Sequence, residues 1–223
     1  MSKLRNNLAM LLMFSLFFFV LSGCTSSAPK ITFEQMAKWQ DGVFVSEFGE
    51  FSVEVPANWK SLSDSEIRQQ VNNNLLDSVI YGTPTVSVEQ FEKTAGFYPM
   101  AFTTEIDNES DVTTFAIVYV IIERMGALDR LRVKTADEYL EIVTEGYRQG
   151  ETPDNTFSFE EIYSVNIGDF EYRCLPIIVE SYQYRQVIAA RIKDGFVIGF
   201  LIMTSDNHQK LTEEALGAFS SFP

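Results

Sequence analysis

From Phe51 to Val55 the chain alternates, with Phe51, Val53 and Val55 apolar and Ser52 and Glu54 polar. A period of two puts the apolar set on one face of a strand. Residues 42–55 therefore read as two short strands joined at Phe48-Gly49-Glu50-Phe51, and Pro56 stops the second. The period then changes. Ser63 with Glu66 three residues later is a capping box, opening a helix that runs to about Leu76. Thr135-Ala136-Asp137-Glu138 opens another to about Arg148, with Leu140, Val143 and Tyr147 on one face and Val133 packing just outside it. Strands are expected near 98–106, 113–123, 157–167, 170–180, 184–193 and 196–204. Gly168-Asp169 and Asp194-Gly195 are two-residue hairpin connections, so the strands they join are antiparallel. A last helix follows Ser205 or Asp206 and ends near Phe219. Residues 77–96 carry no clear pattern beyond a short helix over 87–94 stopped by Gly96.

Residues 115–122 and 196–203 are apolar at both alternating sets of positions. An antiparallel sheet with one wet face shows polar residues at every second position. These strands therefore need a cover on both sides, and the three helices are the available covers. The expected fold is α+β: an α/β/α sandwich whose central antiparallel β-sheet has helices on both faces.

One apolar run lies outside this scheme. Lys3 and Arg5 precede about fourteen residues, 8–21, broken only by Ser15. A membrane-spanning helix needs ~20 such residues. A signal-peptide core needs only ~7–15. The run ends in Leu21-Ser22-Gly23-Cys24, which resembles the lipobox of bacterial lipoproteins. The resemblance implies a signal peptide over 1–23 and a palmitate-type lipid anchor on Cys24. Thr25-Ser26-Ser27-Ala28-Pro29 suits a polar tether, so 24–40 are expected to link the lipid to one domain over 41–223. The implied location is the extracytoplasmic face of a cell membrane, with the membrane held through Cys24.

Charge narrows the partners. Without Lys3 and Arg5 the chain has 15 Lys and Arg against 31 Asp and Glu, a net charge of −16. Such a surface is repelled by nucleic acid and by anionic headgroups. Nucleic acid is excluded as a partner. With Cys24 carrying lipid, Cys174 has no disulfide partner. It lies on the apolar phase of a strand, as a buried inert thiol does.

Phe48-Gly49-Glu50-Phe51-Ser52-Val53-Glu54-Val55-Pro56-Ala57-Asn58-Trp59 resembles the opening of PsbP-like domains, a hairpin followed by a proline and a tryptophan. The close on Phe219-Ser220-Ser221-Phe222 after a final helix resembles the same family. The order of elements agrees over about 42–222. The resemblance implies an accessory or binding protein rather than an enzyme. It carries over no functional residue, since the shared motifs are structural.

The residues point to little chemistry of their own. There is no phosphate loop, no Gly-x-Ser-x-Gly elbow and no His-Glu-x-x-His pair. His208, the one histidine, matches no ligand motif, so no catalytic residue, metal or cofactor is expected. Asp107-Asn108-Glu109-Ser110-Asp111 has carboxylates at calcium-loop spacing, but Val112 stands where glycine is needed and Val118 where a bidentate carboxylate is needed. Asp137, Glu141 and Glu145 share a helix face and suit a cationic partner. Phe91, Phe97, Tyr98 and Phe102 cluster near the unusual connection and are candidates for an apolar ligand groove. The expectation is a non-catalytic lipoprotein domain that binds an envelope protein partner. The alternative is a carrier of lipid or another small hydrophobic ligand.

Overall fold

The computed structural model describes residues 36–72, 96–104, 115–153, 156–180, 184–205 and 208–221. The strands are β1 (Lys38–Gln40), β2 (Val43–Ser46), β3 (Phe51–Val53), β4 (Trp59–Ser61), β5 (Gly96–Thr104), β6 (Ala116–Arg124), β7 (Phe157–Phe159), β8 (Tyr163–Ile167), β9 (Phe170–Val179), β10 (Tyr184–Lys193), β11 (Phe196–Thr204) and β12 (Phe219–Ser221). The helices are α1 (Asp64–Asn72), α2 (Asp129–Arg132), α3 (Ala136–Gln149) and α4 (His208–Gly217). The large sheet runs β4-β5-β6-β11-β10-β9-β7, with β8 also on β9, and a small sheet runs β1-β2-β3-β12. Every pairing is antiparallel.

β11 is buried at all nine positions. Its even residues Ile198, Phe200 and Ile202 join one core with Val118, Val120, Ala189 and Cys174. Its odd residues Val197, Leu201 and Met203 join another with Tyr119, Ile188, Ala190 and Ile177. The central antiparallel sheet is therefore covered on both faces, as the doubly apolar strands require. Over the odd face lie α3, through Leu140 and Tyr147, and α1, through Ile67. Over the even face lies α4, through Ala215, but it shares the work with Phe44, Phe51, Val53 and Phe219 of the small sheet.

Local chemistry explains most boundaries. Glu66 N donates to Ser63 Oγ at 3.3 Å and Ser63 N to Glu66 Oε2 at 2.8 Å, a closed capping box. Thr135 and Glu138 form the same device before α3. Asp41-Gly42 and Asp194-Gly195 both have positive φ, which the tight β1–β2 and β10–β11 turns require. Pro56 precedes Trp59, whose ring lies 5.4 Å from Phe102 and whose Nε1 donates to Glu214 at 3.1 Å.

Three features depart from the sequence reading. Phe219–Ser221 is not a helix end but a strand on β3, because Phe219 swings inward to lie 4.0 Å from Phe200. The strand expected over 157–167 is two, β7 and β8, both on β9. Residues 38–40, assigned to the tether, form β1, and Met36 is wholly buried.

Arg191 ties the small sheet to the large one. It is 8% exposed on the even face of β10. Its Nη2 donates to Gly49 O at 2.5 Å and to Glu50 Oε2 at 3.0 Å, and its Nε to Tyr172 Oη at 3.0 Å. The guanidinium lies 4.0 Å over the Phe170 ring. Lys193 and then Arg191 hold the Glu50 carboxyl below the usual carboxylate range. Cutting a buried cation out of such a network leaves the Gly49 carbonyl and the Tyr172 hydroxyl short of a donor. Arg191→Met should destabilise the domain by about 2–4 kcal/mol, read as a lower urea midpoint. A shift under ~0.5 kcal/mol would show that the small sheet is held by apolar packing alone.

Candidate functional site

The start of α3 lies beside β9 and β10, and the junction leaves an open depression of about 400 Å³. Lys134, Thr135, Asp137, Phe170, Arg173 and Arg191 are among its walls. Most of these side chains already hold the fold. Arg173 Nε donates to Asp137 Oδ1 at 2.7 Å, and the same guanidinium reaches Ser164 Oγ. Lys134 Nζ donates to the Arg130 carbonyl, Thr135 caps α3, and Arg191 is committed to Gly49 and Glu50. The guanidinium charges facing the depression are thus largely neutralised by carboxylates of this chain. Polar walls of this kind suit water and small polar groups rather than an acyl chain.

Of the aromatic set expected to line a groove, Phe102 is the one whose side chain lies among the described residues. Phe102 is fully buried in the even-face core, against Trp59 and 6.2 Å from Phe219. It is structural because β5 is buried on both sides here, with Met100 and Phe102 in the even-face core and Ala101 in the other. Phe97 and Tyr98 belong to β5, where the register shifts between Phe97 and Met100, and their side chains lie outside the described residues. Phe91 lies outside the described residues, as do Cys24, the short helix expected over 87–94, and Asp107–Asp111. His208 is the first residue of α4, and its side chain is likewise outside them.

Cys174 is wholly buried, and burial pushes its thiol up to about 12, so it stays protonated near neutrality. Tyr163, beside it, is pushed to about 12 by the same cause. Among the described residues no group of three His, Cys, Asp or Glu side chains assembles as a metal site would require. Nor, among them, is any helix long and apolar enough to cross a membrane.

The acidic stripe of α3 is divided by the fold. Asp137 is drawn to Arg173, whereas Glu141 and Glu145 face solvent. Between them Ile142 is 45% exposed. Periodicity marked the charged positions but not the isoleucine, which is one step off the buried face.

Glu123, at the end of β6, was not anticipated. Its Oε2 accepts from Tyr139 Oη at 3.0 Å. Burial, and secondarily the charge of Asp129, push its carboxyl up to about 7.

Two solved structures are among those to which the chain is similar. One is the solution structure of cyanobacterial PsbP (CyanoP) from Synechocystis sp. PCC 6803, at 12% identity, covering 91% of this chain and 99% of that one with a TM-score of 0.46. The other is the crystal structure of LpqN, involved in cell envelope biogenesis of Mycobacterium tuberculosis, at 12% identity, covering 78% and 83% with a TM-score of 0.42. No protein-family model and no curated protein matches the sequence. At these scores the likenesses take the site no further than its own geometry does.

Glu123 makes stability depend on pH in a definite direction. Its folded value, about 7, lies above the ordinary 4.5, so the folded chain binds more protons between those limits and stability falls as pH rises through them. Glu123→Gln keeps an acceptor for Tyr139 and removes the charge. The variant should be more stable than the parent at pH 8, by about 1–2 kcal/mol after allowance for partial exposure, and nearly equal to it at pH 4.5. Urea midpoints at the two pH values decide it, and an equal offset at both would disprove the assignment.

Proposed function

We propose that this chain is a non-catalytic accessory domain, held on the extracytoplasmic side of a membrane by lipid on Cys24, that docks an envelope protein partner. The observation that carries the reading is the outer face of α3. Ile142 stands 45% exposed between the solvent-facing Glu141 and Glu145. A half-exposed apolar side chain rimmed by like charges suits a partner that brings an apolar contact and cations of its own. The rigidity of α3 supports the same role, because its capping box and the burial of Leu140 and Tyr147 hold that face still. The tether fits as well. Met36 is already in the core with its carbonyl accepting from Ser46 Oγ at 2.8 Å, so only about a dozen residues separate Cys24 from the folded unit.

Two measurements test this. In the intact chain, Cys24→Ser should lose the acyl mass and leave the membrane fraction. A variant still membrane-bound without acyl chains would overturn the anchor. A photoreactive phenylalanine at Ile142, irradiated in the native host, should give one discrete crosslinked protein, and Glu141→Lys with Glu145→Lys should reduce it about tenfold. Adducts no different from those formed at exposed Lys210 would remove this face as the docking surface.

A further inference from the structure

A second surface differs from α3 in both charge and place. α2 turns at the end of the large sheet where β6 finishes and β11 begins, and Met125 N donates to Gly195 O at 3.0 Å. Leu131 there is 71% exposed and Leu128 47%. Residues 123–134 carry Arg124, Arg130, Arg132 and Lys134 against Glu123 and Asp129, within a chain of net charge −14. Of the two acids, Glu123 lies under the Tyr139 hydroxyl and Asp129 Oδ2 accepts from Gly126 N at 3.2 Å. Two leucines in water, ringed by cations on an acidic protein, form a local reversal of the surface.

The same end of the molecule receives the N-terminal chain. Ser46 Oγ links the Met36 carbonyl to Gly49 N, at 2.8 Å each way. Gly49 is bonded to Arg191, and Phe48 lies 4.9 Å from Phe196. A Cβ on the adjacent Gly195 would stand 2.9 Å from Arg130 Cδ. Met36, the β10–β11 hairpin and α2 therefore lie together. Twelve residues from Cys24 to Met36 span at most ~40 Å.

We propose that the α2 turn docks on an anionic phospholipid surface, with Leu128 and Leu131 entering the interface and Arg130, Arg132 and Lys134 meeting the phosphates. The proposal rests on the lipid anchor at Cys24. The tether supplies the high local concentration that a small patch needs. Glu138, which accepts from Lys134 N, and Glu47 and Asp194 at the same end oppose the attraction, so docking needs both the tether and an anionic membrane. Each Lys or Arg at such a surface multiplies partitioning about fivefold, and salt screens the effect.

The intact lipidated chain carrying Leu131→Cys tests it. Cys24 is acylated and Cys174 buried, so the new thiol is the one a membrane-impermeant maleimide meets first. The protein is reconstituted in phosphatidylcholine vesicles with or without about one third phosphatidylglycerol. Modification should be about fivefold slower or more in the anionic vesicles, recover in 0.5 M salt, and lose its lipid dependence when Arg132→Glu is added. Ile142→Cys should react alike in both. Equal rates at Leu131→Cys in the two vesicles overturn the proposal. So does protection seen in native membranes but in neither vesicle, which assigns the surface to a protein. Flotation and intact mass report the anchor separately, so a chain that fails to float sinks the tether itself rather than the patch.

Discussion

β11 is buried along its whole length, and every other layer is arranged around that fact. A strand buried on both sides needs two covers, and each must present an apolar face of matching width. On the odd side helices suffice, since α3 is long, its Leu140 and Tyr147 lie at helical spacing, and α1 adds Ile67. On the even side α4 alone is too short. The uncovered part is met by a four-stranded sheet whose Phe44, Phe51, Val53 and Phe219 point inward. The aromatic contacts of Phe200 with Phe51 and Phe219 are where the two sheets meet. Arg191 then fixes their relative position with directional bonds that apolar packing cannot supply.

Much of this was legible because the signals were local. The two capping boxes, the Asp194-Gly195 turn and the double apolar phase of β6 and β11 each depend on residues within a few positions of one another. Asp41-Gly42 carries the same turn signal as Asp194-Gly195, and it marked β1, although the polar run of the tether obscured it. β12 had no such mark. Phe219-Ser220-Ser221 follows a helix directly, and only its pairing with β3, far away along the chain, makes it a strand. The split into β7 and β8 is equally nonlocal, since β9 is long enough to pair with both.

The surfaces were harder to read for a related reason. Phe102 and Ile142 are both large and apolar, and composition ranks the aromatic as the better ligand contact. Burial reverses the order. Phe102 is consumed by Trp59 and Phe219, whereas Ile142 is left outside by one residue of helical phase. Leu128 and Leu131 stand out only once the turn around α2 is seen to bury Val133 and leave its neighbours in solvent. The upward shift of Glu123 likewise depends on burial that only the fold creates, working against the Tyr139 hydroxyl, sixteen positions on, which pulls it back down.

The pairing of β3 with β12 bears on how the chain reaches this state. Ser52 and Ser220, whose hydroxyls meet at 2.8 Å, are 168 positions apart. A contact of that separation closes only after a very long loop is gathered, and topologies rich in such contacts fold slowly. During synthesis, β1, β2 and β3 emerge early yet lack the strand and the phenylalanine that complete their layer. Until Phe219 arrives, the even face of β11 is not fully sealed. A polypeptide with that schedule keeps its small sheet incomplete until Phe219 has been made, so the two layers close together and late rather than one after the other.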